Sequence, residues 1–484
     1  MRILWPVYDL YKGENQPCGI MAISSILKQK GYRSEVVQAD YKAVKNKLRE
    51  SMPTVLAFST PSIFAQTYLN LNSLLKKKFD VLSVFGGAHP TYFPELIKEE
   101  GVDAICIGEG EYPMLELVRR YEEGKSLHNI KNIWAKENKQ IHKNPLRPLI
   151  QDLNHLPLPD HEIFSNAIPK SIWMAAVITG RGCPYNCTYC FNHAYKKLYK
   201  GKGKYIRRRI ADNVLEELNQ IKRAGFYKFI KFGDDIFTFP ESWVEEFCPK
   251  YKNQIGLPFS CFVRVNHVTP DLVKLMKEAG CYKMTMGIET GNKQLRNKIL
   301  KRSMSKEDII RTAQIIKDGG IKLSTGNILA LPTGSIKTDF ETLQLNIDCK
   351  TDYAGVTLLQ PYHGTEIHEF CKTKGYIQPE MNLQERNVNR ISLLKFKNKK
   401  EKRQIENLQK LFDITLAYPP MLPLTKMLIR LPLGLVYSFI FSRWTNFKHY
   451  FSIIPPKIGW KVFWKRSKMF FKATKFLQNR KKEL

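Results

Sequence analysis

The chain has 484 residues, 43% of them hydrophobic, and carries a formal net charge of +32. This length predicts about three domains at roughly 150 residues each, and the hydrophobic content excludes a chain that is disordered throughout. Ten cysteines in so long a chain exclude a small disulfide-rich scaffold. The sequence is therefore that of a large globular protein with a strongly basic balance.

The positive charge is concentrated toward the C-terminal end. Residues 381–484 contain 23 lysines and arginines against five acidic residues, a net of +18, and no acidic residue occurs in residues 414–482. More than half of the excess charge thus belongs to one region, which needs a local explanation.

The chain opens without the pattern of a targeting signal. Residues 1–6 run directly into polar residues and are too short for the apolar core of a secretory signal. We therefore expect a cytoplasmic protein in a reducing compartment. Cysteines that cluster in such a protein are expected to bind metal or to take part in chemistry.

Short β-branched or apolar runs alternate with helical patterns in the first 125 residues. The alternation predicts a parallel sheet covered on both faces, a doubly wound Rossmann-like domain over residues 1–125. The predicted strands are residues 2–5, 34–38, 54–59, 81–85 and 102–107, and the predicted helices are residues 18–30, 43–51, 62–78, 92–100 and 113–123.

Polar and glycine-rich loops follow three of these strands. Ligands of doubly wound sheets bind at the carboxyl ends of the strands, and glycine lets backbone approach a large ligand closely. The glycine pair at 86–87 could equally be a plain strand-to-helix turn, and the residues alone favour neither interpretation. The candidate ligand residues in these loops are Thr60, Ser62, Gly86, Gly87, His89, Gly108 and Glu109.

The motifs of this region resemble those of the cobalamin-binding domains that precede many radical S-adenosylmethionine enzymes. The Asp-x-His-x-x-Gly signature of methionine-synthase-like domains is absent, as is common in the subset resembled here. The resemblance implies cobalamin held by the strand-end loops without a protein histidine on cobalt, with His89 as a contact candidate. The motifs that carry it are Pro17-x-Gly19, Gly31-Tyr32, Gly-Gly-x-His-Pro at 86–90 and Gly-Glu-Gly-Glu at 108–111.

Residues 126–165 are predicted to link this domain to the next. Residues 132–139 and 140–143 could pair as a small hairpin. The Leu-Pro-Leu-Pro run at 156–159 disfavours helix, because each proline lacks a backbone N–H and restricts the residue before it. We therefore expect a stiff, extended connection.

Three cysteines lie within eight residues of the central region. Cys183, Cys187 and Cys190 are spaced x3 then x2, among proline, asparagine and glycine residues that predict a turn. Iron–sulfur clusters are held by cysteine thiolates, usually four for a cubane cluster, so three thiolates on one loop leave one iron open. An open iron can chelate the amino and carboxylate groups of S-adenosylmethionine, and electron transfer then yields a 5′-deoxyadenosyl radical. The loop thus predicts a [4Fe-4S] cluster.

A structural zinc ion is the main alternative for this loop. His193 follows Cys190 by three residues and would complete a Cys3His set. Three coincidental core cysteines agree less well with the turn residues around them. The pattern Cys-x3-Cys-x2-Cys, with an aromatic residue before the last cysteine, resembles that of the radical S-adenosylmethionine superfamily and favours the iron–sulfur interpretation.

Strand and helix patterns alternate again after the cysteine loop. Six strands, each but the last followed by a helix, fit a partial (β/α)6 barrel over residues 166–370, with its chemistry at the carboxyl ends of the strands. The predicted strands are residues 172–179, 228–232, 259–265, 283–288, 322–330 and 353–359, and the predicted helices are residues 212–224, 241–252, 271–278, 306–317 and 337–349.

Polar residues at these strand ends are candidates for binding S-adenosylmethionine. By resemblance, Asp234 and Asp235 replace the Gly-Gly-Glu motif that receives the amino group of the cofactor, since a carboxylate binds an ammonium strongly. The resemblance likewise assigns Arg264 to the carboxylate of the cofactor, Glu289 to its ribose and residues 329–334 to its adenine. Each could instead form a structural turn or salt bridge.

Tyr362 and His363 follow the last strand, where the family often has a loop that reaches the substrate. They are therefore substrate-side candidates, and no other catalytic residue is predicted. The resemblance also implies an external one-electron reductant of the flavodoxin or ferredoxin type. The remaining seven cysteines show no paired spacing, so a second cluster is not predicted.

The C-terminal region, residues 371–484, is predicted to be helical, basic and rich in aromatic residues. Its most apolar run, residues 431–442, is shorter than the ~20 residues of a membrane-spanning helix. Apolar and aromatic residues mixed with 14 lysines and arginines in residues 414–482 favour a helix on an anionic membrane surface. Nucleic acid is a less favoured partner, and a third alternative is that the segment packs on the barrel.

The resemblance covers residues 1–370 and implies a cobalamin-dependent radical S-adenosylmethionine enzyme. Its leading expectation is methylation of an unactivated carbon, with cobalamin carrying the methyl group from one cofactor molecule and a second molecule generating the radical. The alternative is cyclisation, rearrangement or carbon–carbon coupling on a lipid or tetrapyrrole. The basic tail favours a hydrophobic substrate and the inner face of a membrane. A tRNA-modifying enzyme and a non-enzymatic cobalamin or redox sensor are less favoured.

Overall fold

The computed structural model describes residues 1–8, 10, 16–50, 54–167, 173–378, 391–396 and 398–448. Two mainly parallel sheets with helices on their faces follow one another along the chain, and a group of helices follows the second sheet. The predicted α/β class, with a Rossmann-like domain, a partial barrel and a helical C-terminal region, is confirmed.

The N-terminal domain is a seven-stranded sheet with helices on both faces. Its strands are β1 (Arg2–Val7), β2 (Arg33–Gln38), β3 (Thr54–Ser59), β4 (Leu82–Gly86), β5 (Ala104–Cys106), β6 (Ile133–Glu137) and β7 (Gln140–Lys143). Its helices are α1 (Cys18–Gln29), α2 (Tyr41–Leu48), α3 (Ala65–Lys76), α4 (Ala88–Tyr92) and α5 (Glu111–Glu122). The order is β2-β1-β3-β4-β5-β6-β7, with β1 to β5 parallel. Two buried apolar clusters cover the two faces, as near-continuous hydrophobic strands require.

All five predicted strands of this domain are present, but one predicted helix differs. Instead of a single helix over residues 92–100, α4 ends at Tyr92 and a separate 3-10 turn spans Pro94–Lys98. The cause is Pro94, which disfavours helical geometry in the residue before it. Phe93 accordingly adopts φ −126° and ψ 64°, so the chain leaves the helix there.

The hairpin predicted within the linker belongs to the first sheet. β6 pairs antiparallel with β5 on one side and with β7 on the other. A parallel sheet ending at β5 would expose unpaired backbone groups, and the hairpin covers that edge. The extended connector therefore begins only after β7 and leads through α6 (Glu162–Ala167) into the second sheet.

The second domain is a curled sheet of six parallel strands, a half-barrel with helices on its outer face. A two-stranded antiparallel ribbon, β9 with β10, flanks the cysteine loop. The strands are β8 (Met174–Val177), β9 (Gly180–Arg181), β10 (Arg207–Arg208), β11 (Phe229–Phe232), β12 (Phe259–Val263), β13 (Cys281–Glu289), β14 (Lys322–Leu329) and β15 (Tyr353–Leu358). The helices are α7 (Phe191–Leu198), α8 (Ala211–Arg223), α9 (Glu241–Gln254), α10 (Pro270–Glu278), α11 (Lys306–Asp318) and α12 (Ile336–Asp348). The sheet order is β15-β14-β13-β12-β11-β8, which confirms the six predicted strands.

The C-terminal helices pack partly on this half-barrel. They are α13 (Glu366–Thr373), α14 (Lys399–Ala417), α15 (Leu422–Leu428) and α16 (Gly434–Lys448). α14 buries Leu408 and Phe412 in a cluster that includes Leu358 of β15. The Asp413 carboxylate also accepts the N–H of Ala354 at 2.9 Å. Residues 399–417, most of which precede the segment predicted to bind a membrane, therefore pack on the barrel.

The region predicted to bind a membrane, residues 414–482, is described only as far as Lys448. Among the described helices, none combines the length and the apolar character needed to cross a bilayer.

Candidate active site

A cavity of about 510 Å³ lies between the two domains, where the carboxyl ends of both sheets face each other. The loops predicted to hold two different cofactors share this one cavity. Its walls include Gly86, Gly87, Gly108 and Glu109 from the first domain, and Arg181, Asn192, Asp234 and Asp235 from the second.

Hydrogen bonds join the three strand-end loops of the first domain into one rim. The N–H of Thr60 donates to the carbonyl of Gly86 at 2.8 Å, and the carbonyl of Thr60 accepts the N–H of His89 at 2.9 Å. The Thr91 hydroxyl donates to the carbonyl of Gly87 at 2.7 Å and accepts the N–H of Gly108 at 3.0 Å. The rim is therefore preorganised on all three loops.

The predicted rim residues divide into those that line the cavity and those that support it. Thr60, Ser62 and His89 are buried behind the rim. His89 Nδ1 lies 3.2 Å from Ser62 Oγ, and its ring stacks on Phe93 at 4.6 Å. Burial lowers the pKa of His89 to about 4, so the ring is neutral. A wall of glycine backbone suits a broad, flat ligand such as cobalamin.

The cysteine loop runs between β9 and α7, with Cys187 buried at its centre. The Arg264 guanidinium lies 3.6 Å from Cys187 Sγ, and that of Arg302 lies 4.0 Å away. Asn192 Nδ2 lies 3.8 Å from Cys190 Sγ. Burial raises the pKa of the Cys190 thiol to about 11, and metal coordination would deprotonate it outright. Cationic donors thus lie beside Cys187 and an amide donor beside Cys190.

The donor set fits a cluster of several irons better than a single zinc ion. In a tetrahedral zinc site with Zn–S bonds of about 2.3 Å, the ligand atoms lie within about 4 Å of one another. In the described part of the chain, the three cysteines and His193 form no group whose ligand atoms all lie within 4.8 Å. His193 Nε2 lies instead 3.4 Å from Glu366 Oε2.

Asp234 and Asp235 follow β11 on the cavity wall. Asp234 is only 4% exposed, and its Oδ1 accepts the N–H of Thr179 at 3.0 Å and the Thr179 hydroxyl at 2.7 Å. Its buried Oδ2 makes no hydrogen bond with any described residue. Burial raises the pKa of both carboxyl groups. A buried acceptor without a partner is costly, and a ligand ammonium in the cavity would satisfy it.

We expect Asp234→Asn to weaken S-adenosylmethionine binding about 10- to 100-fold, because a charge-assisted hydrogen bond typically contributes that much to affinity. The amide keeps one oxygen for Thr179 but loses the negative charge toward the cavity. Equilibrium dialysis of the reconstituted full chain measures the affinity, with Asp318→Asn on an exposed helix end as the control. An affinity equal to that of the wild type would contradict the assignment.

Arg264 and Glu289 both reach the cysteine loop. Arg264 donates to the carbonyl of Arg302 at 2.7 Å and lies over the Tyr185 ring at 3.6 Å. Glu289 accepts the Tyr189 hydroxyl at 2.9 Å and lies 3.3 Å from the Arg302 guanidinium. Both side chains thus hold the loop in place. Their contacts to the carboxylate and ribose of the cofactor stay predictions.

Arg302 is a site residue that the sequence did not reveal. Its guanidinium donates to the Tyr189 hydroxyl and to the carbonyl of Gly287, both at 2.6 Å, beside Cys187. It lies in a lysine- and serine-rich run that is typical of a surface loop. No local pattern marks it, because its partners come from two distant strand ends.

An ion network joins the first domain to the cysteine loop. Arg181 lies 2.8 Å from Glu109 and also donates to Glu111, and Arg207 lies 2.8 Å from the same Glu109 oxygen. Gly108 adopts φ 80°, and a Cβ there would overlap the Tyr199 hydroxyl. Close approach of the two domains therefore depends on these positions.

Aromatic rings extend the contact between the two domains toward Tyr362 and His363, the residues predicted to lie near the substrate. The Tyr92 hydroxyl donates to the carbonyl of Phe191 at 3.0 Å, and the two rings stack at 4.4 Å. Tyr362 lies 5.0 Å from the Phe191 ring, and His363 lies 5.2 Å from the Phe93 ring. The two substrate-side candidates thus lie beside the residue that follows Cys190 and beside the first domain.

Two family models match the chain over the two sheets. Residues 5–118 match the B12 binding domain, and residues 177–345 match the Radical SAM superfamily. The first match contains the rim of the cavity and the second contains the cysteine loop.

Two similar proteins match about three quarters of the chain. An uncharacterized methyltransferase from Pyrococcus horikoshii is 26% identical over 367 residues, which cover 73% of this chain and 78% of the relative. An anaerobic magnesium-protoporphyrin IX monomethyl ester cyclase from Rubrivivax gelatinosus is 26% identical over 380 residues, covering 74% of this chain and 66% of that protein.

A solved structure shares the fold. The cobalamin-dependent S-adenosylmethionine radical enzyme OxsB, with aqua-cobalamin and S-adenosylmethionine bound, superposes with a TM-score of 0.68 at 16% sequence identity. The alignment covers 98% of this chain and 75% of that chain. The succession of a doubly wound domain, a half-barrel and C-terminal helices is therefore common to both proteins.

Proposed function

The chain belongs to the cobalamin-dependent radical S-adenosylmethionine enzymes, and we propose that it methylates an unactivated carbon of a hydrophobic small molecule or lipid. When bound, the [4Fe-4S] cluster supplies the electron that forms the 5′-deoxyadenosyl radical, and cobalamin supplies the methyl group. The observation that supports methylation is the shared cavity, because it is lined both by the glycine rim and by Gly182, Phe191 and Asn192, which flank the three cysteines.

The residues of the chain have distinct tasks in this proposal. Cys183, Cys187 and Cys190 hold the cluster, and the guanidinium groups of Arg264 and Arg302 offset the charge of the thiolates. Asp234 orients the ammonium of S-adenosylmethionine through its unpaired oxygen.

Water has to be kept from a carbon radical, and aromatic side chains supply that protection. Tyr92, Phe191, Tyr195 and Tyr205 line the cavity on the side of the cysteine loop. The Tyr205 hydroxyl donates to Asn192 Oδ1 at 2.7 Å, which holds Asn192 toward Asp235. The wall is thus apolar at its surface and hydrogen-bonded behind it, as a closed radical site requires.

Anaerobic incubation with methyl-labelled S-adenosylmethionine and a reductant of the flavodoxin or ferredoxin type tests the proposal. Mass spectrometry of a lipid extract should show a labelled methyl group on carbon, together with 5′-deoxyadenosine. A product that has gained a ring without label would instead support the cyclising alternative, for which the cyclase from Rubrivivax gelatinosus is the precedent by name.

We further propose that the C-terminal helices contact the inner face of the cell membrane. Ten of the seventeen exposed large apolar side chains in the described residues lie between Tyr418 and Phe447. Leu435 is 90% exposed and Phe439 is 62% exposed, both on α16. Residues 414–482 contain only basic charges. Exposed apolar groups among cations suit an anionic bilayer better than they suit nucleic acid.

We expect Leu435→Asp and Phe439→Asp each to lower binding to anionic vesicles about 10- to 100-fold, the worth of burying one such side chain. Flotation of the full chain with phosphatidylcholine–phosphatidylglycerol vesicles measures this binding. Leu74→Asp, which changes a leucine of the first domain that is 51% exposed, is the control. Membrane contact is contradicted if the wild type does not float or if both variants float as well as the wild type.

A further inference from the structure

Two histidines and a glutamate come together where the chain leaves the last strand of the half-barrel. His363 lies in the loop after β15, and His368 and Glu369 lie in the first turn of α13. One ring nitrogen from each histidine and a carboxylate oxygen of Glu369 all lie within 4.8 Å of one another. Among the residues that the structure describes, this is the one group of three histidine, cysteine or acidic side chains with the spacing of metal ligands.

A closed turn places His363 beside the start of α13. The N–H and the hydroxyl of Thr365 both donate to the carbonyl of Tyr362, the N–H at 3.2 Å. Gly364 in this turn adopts φ 82°, a conformation that residues with a Cβ rarely adopt. The Thr365 hydroxyl also caps the helix by accepting the N–H of His368 at 3.4 Å. The backbone of the turn therefore fixes where the two histidines start.

The two imidazole rings lie against each other at the end of this turn. Their centroids are 4.9 Å apart and their planes are inclined by 63°. The His363 ring also lies 5.2 Å from the Phe93 ring of the first domain. Its nitrogens make no hydrogen bond or ion pair with any residue of the described ranges. The imidazole of His363 is thus positioned by ring contacts while its nitrogens stay available to a ligand.

His368 and Glu369 supply one buried and one exposed ligand. His368 is 9% exposed, and the Glu369 side chain is 61% exposed. His368 Nδ1 lies 3.1 Å from Glu369 Oε1, which without a third group would be an ordinary ion pair. Two ligands at about 2.0–2.1 Å from one tetrahedral zinc ion lie about 3.3 Å apart, close to this separation. Because His363 and Glu369 are exposed, rotation of their side chains can close the remaining gaps.

The loop and the helix that carry these residues contact both halves of the candidate active site. A Cβ at Gly364 would lie 3.3 Å from the Tyr92 ring, which lines the cavity. The N–H of Ile367 donates to the carbonyl of Thr188, in the cysteine loop, at 3.0 Å. An ion bound here would therefore join a loop that contacts the first domain to a helix that contacts the cysteine loop.

We propose that His363, His368 and Glu369 bind a zinc ion. Two imidazoles and one carboxylate form a ligand set that zinc accepts, and three protein ligands leave the fourth position to water or to an oxygen of a bound molecule. Imidazole nitrogens favour zinc over magnesium and calcium, which prefer oxygen ligands. This site is distinct from the iron–sulfur cluster, and the inference does not rest on the proposed function.

Equilibrium dialysis of the full chain against Zn²⁺ and a competing chelator tests this site, with the cluster reconstituted so that the three cysteines are occupied. We expect one zinc ion per chain. His363→Gln and Glu369→Gln should each weaken its binding more than about 10-fold, since loss of even a hydrogen bond to a metal-bound histidine typically costs about 10- to 100-fold. The matched control is His155→Gln, which should bind zinc like the wild type. His155 is 82% exposed and pairs with Asp152 at 3.2 Å, outside the three-residue group.

X-ray absorption at the zinc edge separates this site from the cysteine loop. Zinc held by histidine and carboxylate has only nitrogen and oxygen neighbours, at about 2.0–2.1 Å, whereas zinc in the cysteine loop would show sulfur at about 2.3 Å. Thermal unfolding gives a second measure, because zinc should raise the melting temperature of the wild type and not that of His363→Gln. The exposed position of His363 should let this variant fold like the wild type.

Three outcomes would overturn the proposal: equal zinc binding by the wild type and both site variants, including none by any of them, sulfur among the zinc neighbours, or displacement of zinc by excess Mg²⁺. The proposed function is tested separately. A labelled methyl product from a chain that binds no zinc would leave the proposed function intact, and zinc binding without such a product would leave the zinc site intact.

Discussion

Cys187→Ala is expected to abolish 5′-deoxyadenosine formation, with a loss of at least about 1000-fold, and to leave an incomplete cluster. Cys187 is the buried cysteine of the loop, and two arginines approach its sulfur. Its loss leaves two protein thiolates, too few to hold a cubane cluster with one open iron. Iron content per chain and the electron paramagnetic resonance signal of the reduced protein measure the cluster.

Cys349→Ala is the matched control for this variant. Cys349 is a buried core cysteine beyond the cysteine loop, so its loss should lower stability through a small cavity while cluster and turnover persist. Turnover of Cys187→Ala at the wild-type rate would contradict both the ligand assignment and the radical chemistry.

Arg181→Met is expected to lower the free energy of unfolding by about 3–5 kcal/mol, because it leaves the buried Glu111 carboxylate without its partner. Glu111 is only 4% exposed. Burial raises the pKa of Glu111, but the Arg181 guanidinium outweighs burial and holds the pKa below its usual value. Cobalamin retention should fall as well, since Glu109 lines the cavity.

The pH dependence of this effect follows from the sign of the shift. A carboxyl group with a lowered pKa stabilises the folded protein near neutral pH, and this contribution is lost as pH falls through the folded-state pKa. The wild type should therefore lose its advantage over Arg181→Met on acidification. Urea unfolding near pH 7 and at about pH 3, below the ordinary pKa of a glutamate, measures the difference.

Arg33→Met is the control for a charge pair at the surface. Arg33 pairs with Glu35, and its side chain is 55% exposed, so its loss should cost no more than about 1 kcal/mol. Equal stability losses in the two variants would show that the Arg181 network has no special role between the domains.

Periodicity along the chain was sufficient to predict both sheets. Strands buried on both faces, such as β1 and β3, are read as near-continuous apolar runs, and this local signal does not depend on distant residues. The hairpin of β6 and β7 was also visible as a pattern. Its attachment to the edge of β5 was not, because strand pairing between distant segments leaves no local signal.

The candidate active site likewise contains residues that the sequence predicted and residues that it did not. Cys183, Cys187 and Cys190 could be predicted as cluster ligands because one short loop carries all three, and Asp234 could be predicted as a cofactor contact because it follows directly on a strand. Arg302 was not predicted, because its three partners, Cys187, Tyr189 and Gly287, are not its neighbours in the sequence. Burial of an arginine is a property of the folded chain and not of its neighbours in sequence.

The sequence by itself therefore determined the fold class and the basic character of the C-terminal region, and it predicted the cluster ligands, since each depends on residues close together in the chain. The tertiary structure alone decided that the glycine-rich loops of the first domain and the residues flanking the three cysteines line one cavity, and that Arg181 joins Glu109 and Glu111 across the domains. The physical reason is that cavities and ion networks form between segments separated by tens of residues, where only the packing of the whole chain sets the distance.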